Sequence, residues 1–217
     1  MVKRSLLNKA KTAEFQKGIF DNVMITNVDT QDRKGNNVPI NKMIYIKFAQ
    51  INETGKKLHE SELAWWKPDI TSEFFQDNLR EICFQLHNVL EVFIGEEEAY
   101  NAFEGVFEAL NITDQVEIGT RKWKQSEVNA LIVSLKASFE KAITPWINNT
   151  EHLMRLKLTT NFKGEDIDFP KYGKFVEPTT VTETTLKFTS NELKTHSKAG
   201  NVEVKTTASS ANSTATI

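Results

Sequence analysis

The sequence holds a single cysteine, Cys83, so an internal disulfide or a cysteine-built metal site is not available to it. A reducing, cytoplasmic setting is therefore expected. No apolar run comes near the roughly 20 residues that a membrane-spanning helix needs. The opening residues carry Lys3 and Arg4 but no apolar stretch of signal-peptide length, so neither export nor a membrane partner is expected. There is no G-x-x-x-x-G-K-[ST] phosphate loop and no dinucleotide fingerprint. His59, His87, His152 and His196 are scattered and lack H-E-x-x-H spacing, so no metal and no cofactor is expected. Glu96, Glu97 and Glu98 suit a helix N-terminus, where the macrodipole favours them, and Glu165, Asp166 and Asp168 suit a turn. Nothing here marks a catalytic residue. The chain reads as non-enzymatic.

Net charge is also small, at −2. Its distribution is uneven. Between residues 69 and 118 twelve acidic side chains stand against Arg80 alone, a local net of −11 that leaves +9 elsewhere. A polyanion-binding surface beside an acidic subdomain produces such a separation, and so does an acidic helical face that is merely solvated.

What is present is enough for one good core: 39% hydrophobic residues, among them fourteen Phe, in 217 residues. Residues 1–17 hold five Lys or Arg and one Glu without a clear period, which predicts a flexible basic arm. A strand rich in β-branched residues is predicted over 19–28, after Gly18, and a polar loop through Gly35 follows. In the next strand, 43–51, Ile44, Ile46 and Phe48 share one face while Tyr45 and Lys47 share the other. A turn at Asn52–Gly55 leads to a shorter strand over 62–66, stopped by Pro68. The period then lengthens. Phe75, Leu79, Ile82, Leu86, Leu90 and Phe93 predict one helix, and further amphipathic helices are predicted over 97–110 and 126–143, the last stopped by Pro145. Strands resume at 153–159 and return through 167–176. Beyond Pro178, sixteen of the last forty residues are Ser or Thr, which predicts a disordered tail over 178–217, with an edge strand at 181–188 as the one element it can supply.

Three strands, a helical connection and two further strands form the order of an OB-fold. The expected fold class is α+β: an OB-fold-like antiparallel β-barrel of about five strands over 18–177, interrupted by a large helical insertion at 69–147, with disordered termini. Three segments also resemble bacteriophage single-stranded DNA-binding proteins. They are Gly18-Ile19-Phe20-Asp21-Asn22-Val23, the strand Ile44-Tyr45-Ile46-Lys47-Phe48-Ala49, and Leu156-Lys157-Leu158 with Phe169-Pro170-Lys171-Tyr172-Gly173-Lys174-Phe175-Val176-Glu177. The likeness covers roughly 18–67 and 152–177. It implies a sequence-tolerant single-stranded DNA-binding protein of phage-type replication, recombination or repair, with no enzyme activity. One departure is plain: residues 208–217 carry no charged side chain, so an acidic tail for recruiting partners is missing there.

Binding a strand without reading its sequence requires cations for phosphates and flat rings for bases. Tyr45 and Lys47 would project from the second strand, and Arg155 and Lys157 from the fourth, each away from the apolar face, and Lys42 just ahead of the second strand is a further expected binding residue. Trp65-Trp66-Lys67 sets two indoles beside a cation, and alternation allows only one indole inward. Phe162 and Lys163 occupy the last hairpin, followed by Lys171, Tyr172 and Lys174. Each has a plainer counterpart: a surface tyrosine, a solvated strand face, a core tryptophan, a ring that pins a turn. The expected partner is single-stranded DNA, with RNA as the open alternative. Replication or recombination proteins would dock on the acidic helices. The alternative function is a structural or adaptor protein that uses that acidic insertion alone.

Overall fold

The computed structural model describes residues 12–31, 42–109, 111–112, 120–161, 166–171 and 173–196. Among these described residues, six strands and four α-helices make an α+β fold: β1 (Gly18–Asp29), β2 (Lys42–Ile51), β3 (Lys57–Trp66), α1 (Phe75–Ile94), α2 (Glu96–Glu108), α3 (Gln125–Ile143) with a 3-10 turn (Thr144–Trp146), β4 (Met154–Thr160), β5 (Ile167–Asp168), β6 (Val176–Pro178) and α4 (Ser190–His196). None of the described helices is long and apolar enough to cross a membrane.

All ladders are antiparallel, in the order β3-β2-β1-β4-β5, with β6 on β4 as well. β1 is the pivot. Its first half pairs with β4, from Gly18 opposite Leu158 to Val23 opposite Met154, and its second half pairs with β2, from Val23 opposite Gln50 to Asp29 opposite Tyr45. The changeover needs a bend, and Asn22 supplies it with φ 57° inside the register shift between Phe20 and Val23. Asn is one of the few residues that takes a left-handed conformation at small cost. At the β2–β3 turn, the Asn52 side-chain oxygen accepts from the N–H of Thr54 and of Lys56, and Gly55 takes φ 75°.

The returning strand is broken in two. β5 pairs with the far end of β4 and β6 with its near end, while Phe169 and Phe175 between them turn into the core. This break makes six strands of the expected five. The expected barrel does not close: β3 and β5 are the two ends of the ladder order, and no strand pairing joins them among the described residues.

α1 and α3 pack on the sheet, so that Leu79, Leu86, Leu135 and Phe139 share one buried cluster with Ile25, Ile44, Phe48 and Leu156. Gly95 (φ 86°) ends α1 with its N–H on Glu91 O, and Glu96, Glu97 and Glu98 fill the first turn of α2, where the dipole favours them. A smaller cluster of Met24, Ala49 and Ile51 lies apart from the main one.

Both expected termini contribute packing. Phe15 is buried, edge-on to Phe20 at 4.8 Å, and Ala13 bridges His59 in parallel, so residues 12–17 are part of the fold rather than a free arm. Residues 178–196 are likewise placed, with Leu186 buried and no strand over 181–188. Residues 1–11 and 197–217, the rest of the expected arm and tail, lie outside the described residues.

Candidate nucleic-acid interface

The unlaced ends of the sheet meet through side chains. Trp65 on β3 is buried, and its ring stacks on Phe169 just past β5, with centroids 4.4 Å apart and planes 15° off parallel. The indole Nε1–H donates to Gln85 Oε1 of α1 at 2.8 Å. Gln85 Nε2 donates onward to Pro170 O at 2.7 Å and to Glu81 Oε1 at 3.0 Å. Gln85 thus does with one amide what a barrel does with a ladder. Because α1 occupies the seam, a cleft of about 790 Å³ remains there, lined by residues of β3, α1, β4 and the β5 region.

Two ring–lysine pairs adjoin this cleft, each with one member in its lining, Trp66 and Lys171. Trp66 is 53% exposed and the Lys42 ammonium lies 5.0 Å from its ring centroid. Those two residues face each other in the β2–β3 register. Phe74, immediately before α1, is 54% exposed and the Lys171 ammonium lies 5.8 Å from its ring. Lys67 lines the cleft beside them. Four carboxylates line the same cleft: Glu81 and Asp168 are half-buried, Asp69 is exposed, and Glu192 lies 3.4 Å from the Lys157 ammonium. Burial lifts the Glu81 carboxyl to about 7, against hydrogen bonding from Gln85 and the charges of Lys171 and Arg80. Burial also raises Asp168, opposed by the N–H of Phe169 and the charge of Lys42.

Of the residues expected to bind a strand, Lys42, Trp66, Lys67 and Lys171 are therefore brought together, with Trp65 as an inner wall. The others are not. Tyr45 is on the face expected, yet buried, because β2 is a central strand and the ring sits between the cross-strand neighbours Asp29 and Ala64. Lys47 is paired with Glu60 at 2.9 Å. Lys174 reaches away to Glu91 on α1 at 2.7 Å. Phe162, Lys163 and Tyr172 lie outside the described residues.

Arg155 and Lys157 depart furthest from expectation. Alternation does turn both away from the main core, but residues 177–192 cover that face. Arg155 binds Glu177 at 2.6 Å, Asp21 and the carbonyl of Val181. Lys157, only 1% exposed, donates to Lys187 O at 2.9 Å and lies 3.4 Å from the Glu192 carboxylate. Lys17 donates to the Glu192 carbonyl, and the Phe188 ring sits 5.3 Å from Lys17 and 5.8 Å from Lys157. These cations are consumed by the protein's own chain.

Phe74, Glu81 and Gln85 were not expected at the site. Phe74 left one trace: Phe74-Phe75 is a doublet at a helix start, where the 3.6-residue period can bury only one ring. Glu81 and Gln85 read as ordinary helix residues, and only the return of residues 169–170 against α1 gives them a role.

No family model, no curated protein and no solved structure matches this chain.

Proposed function

We propose that the chain binds single-stranded nucleic acid across the mouth of the seam cleft, with no catalytic step. The observation that carries this reading is the pair of exposed rings, Trp66 and Phe74, each beside a lysine ammonium, with Trp66 and Lys171, one member of each pair, lining the same cleft. Rings that would otherwise be buried stand ready to stack on bases, and their lysines stand where the phosphates of the same strand would run. The fold supports it at a finer level. We read the three-strand meander, the helical connection and the returning strands as an OB-type arrangement, a partly open barrel with α1 in the remaining gap. Single-stranded DNA is the primary ligand in this reading, in replication, recombination or repair, as the resemblance of the strand segments implies.

The test is fluorescence anisotropy of a labelled oligo-dT titrated with the whole chain across a salt series. Each stacked ring should contribute on the order of 1–3 kcal/mol, so Trp66→Ala and Phe74→Ala should each weaken binding roughly 5- to 150-fold. Loss of Lys42 or Lys171 should flatten the log–log salt slope by about 0.7 each. Absence of binding at low salt, or indifference to both ring deletions, defeats the reading.

A second reading, an adaptor that docks through acid, has one specific observation in its favour. On α2, Glu96, Glu97, Glu98, Glu104 and Glu108 are all exposed, with Tyr100 55% exposed among them. A basic partner protein would fit there. Glu97→Lys with Glu104→Lys should abolish such a contact, and oligonucleotide binding should survive if the two surfaces are separate.

A further inference from the structure

We propose that the cleft holds a base as well as bordering a strand, and that the base it selects is guanine, read on its Watson–Crick edge by the Glu81 carboxylate. This inference rests on the nucleic-acid reading above and names the ligand of the same site. The deeper burial of Glu81 and Asp168 relative to Lys171 is the starting point. Lys171 is exposed, whereas Glu81 and Asp168 in the same lining are half-buried, so phosphates would be held off the deeper part and stay at the mouth. An uncharged, hydrogen-donating, flat group suits the interior, and about 790 Å³ admits one nucleobase with room to spare.

Glu81 is positioned rather than loose. Trp65 fixes the Gln85 amide, and that amide donates to Glu81 Oε1 at 3.0 Å. The orientation of the carboxyl group is thereby tied to the packed wall of β3. A carboxylate only accepts, through two oxygens side by side. Guanine alone among the common bases offers two adjacent donors, N1–H and N2–H, at that spacing. Adenine and cytosine offer an amino group beside an acceptor nitrogen, which meets one oxygen and repels the other. Thymine and uracil flank their one N–H with two carbonyls, which would face the carboxylate lone pairs directly. The preference is guanine first and thymine last, opposite to a site built from rings and lysines alone, which tolerates every base.

The experiment uses the whole chain at pH 8, above the value near 7 to which burial lifts this carboxyl. Three labelled 12-mers are compared by anisotropy: all thymidine, thymidine with isolated deoxyguanosines, and the same strand with deoxyinosine, which lacks the 2-amino group. Isolated guanines avoid four-stranded structures. The guanosine strand should bind about tenfold tighter than the thymidine strand, with inosine about threefold tighter. In Glu81→Gln the ratio of guanosine to thymidine affinity should fall to about one. The inosine arm needs no variant, so the inference is tested even where the substitution disturbs folding. Equal binding of all three strands, or a guanine preference that survives Glu81→Gln, overturns the inference and leaves nucleic-acid binding standing. No binding to any strand overturns both.

Discussion

Trp65 and Gln85 join the two ends of an open sheet through one hydrogen bond of 2.8 Å, and the same glutamine passes the contact on to Pro170 O at 2.7 Å. Both sheet ends therefore share one buried amide from a helix, beside the Trp65–Phe169 ring stack.

Gln85→Leu keeps the volume and removes the amide. It leaves a buried indole N–H and a buried carbonyl without their partner, each costing roughly 1–3 kcal/mol. A loss of roughly 3 kcal/mol in urea unfolding is expected, with the Trp65 emission shifted. An unchanged midpoint would mean that the ring stack alone holds the seam.

Phe15→Ala should cost about 3 kcal/mol, the ordinary penalty for emptying a buried phenylalanine site. Phe15 is 3% exposed and meets both Phe20 and His59. Chemical denaturation decides it, because a freely moving arm would tolerate the change within about 0.5 kcal/mol.

Arg155→Ala strands Glu177, which is 4% exposed and also accepts from the backbone N–H and hydroxyl of Thr185. Breaking one side of a buried pair typically costs about 3–5 kcal/mol. The expected result is a lower melting temperature and faster tryptic cleavage within 178–196. Weakened oligonucleotide binding at unchanged stability would instead return Arg155 to the binding surface.

Glu81 makes stability fall as pH rises. Its carboxyl loses its proton near 4.5 in the unfolded chain and near 7 in the folded one. Between those values the folded state keeps a proton that the unfolded chain has already released, so raising the pH favours unfolding. Glu81→Gln should therefore raise the melting temperature, relative to the parent chain, more at pH 8 than at pH 5. Below about 4.5 the slope reverses. Glu60, held low by a hydrogen bond from Lys57, and Glu177, held low by its partners despite burial, then take up protons and give up their contacts. A melting difference independent of pH would disprove the assignment to Glu81.

The elements were legible where a period was long enough to read. Leu79, Leu86 and Leu90 lie on the buried side of α1, and Ile44, Ile46 and Phe48 on the core side of β2, as their spacing predicts. The first half of β3, Lys57-Leu58-His59-Glu60-Ser61, has no alternation to read; its pairing with β2 makes it a strand. The site was half legible for a different reason. Alternation fixes which face a side chain takes, and it did so correctly for Lys157 and for Trp65 against Trp66. What covers that face is a tertiary matter. The cover over Lys157 comes from a Thr-rich stretch whose one large buried group is Leu186 and whose grip is made of carbonyls, Glu177 and Glu192. Such a segment has the composition of a tail and the contacts of a wall.

The clasp around Glu192 also sets a timetable for assembly. Lys17 and Glu192 are 175 positions apart, and Arg155 must find Asp21 across 134. As the polypeptide leaves the ribosome, the meander of β1, β2 and β3 and the helices can form early, since their partners are near in sequence. The outer side of β4 stays uncovered until residue 192 has emerged. Bringing such distant groups together is slow, because loop closure must precede the reward. A nascent chain stalled before residue 186 would lack the Lys187 carbonyl and Glu192, leaving Lys17 and Lys157 uncovered together, and would bind polyanions on a face that the finished protein keeps closed.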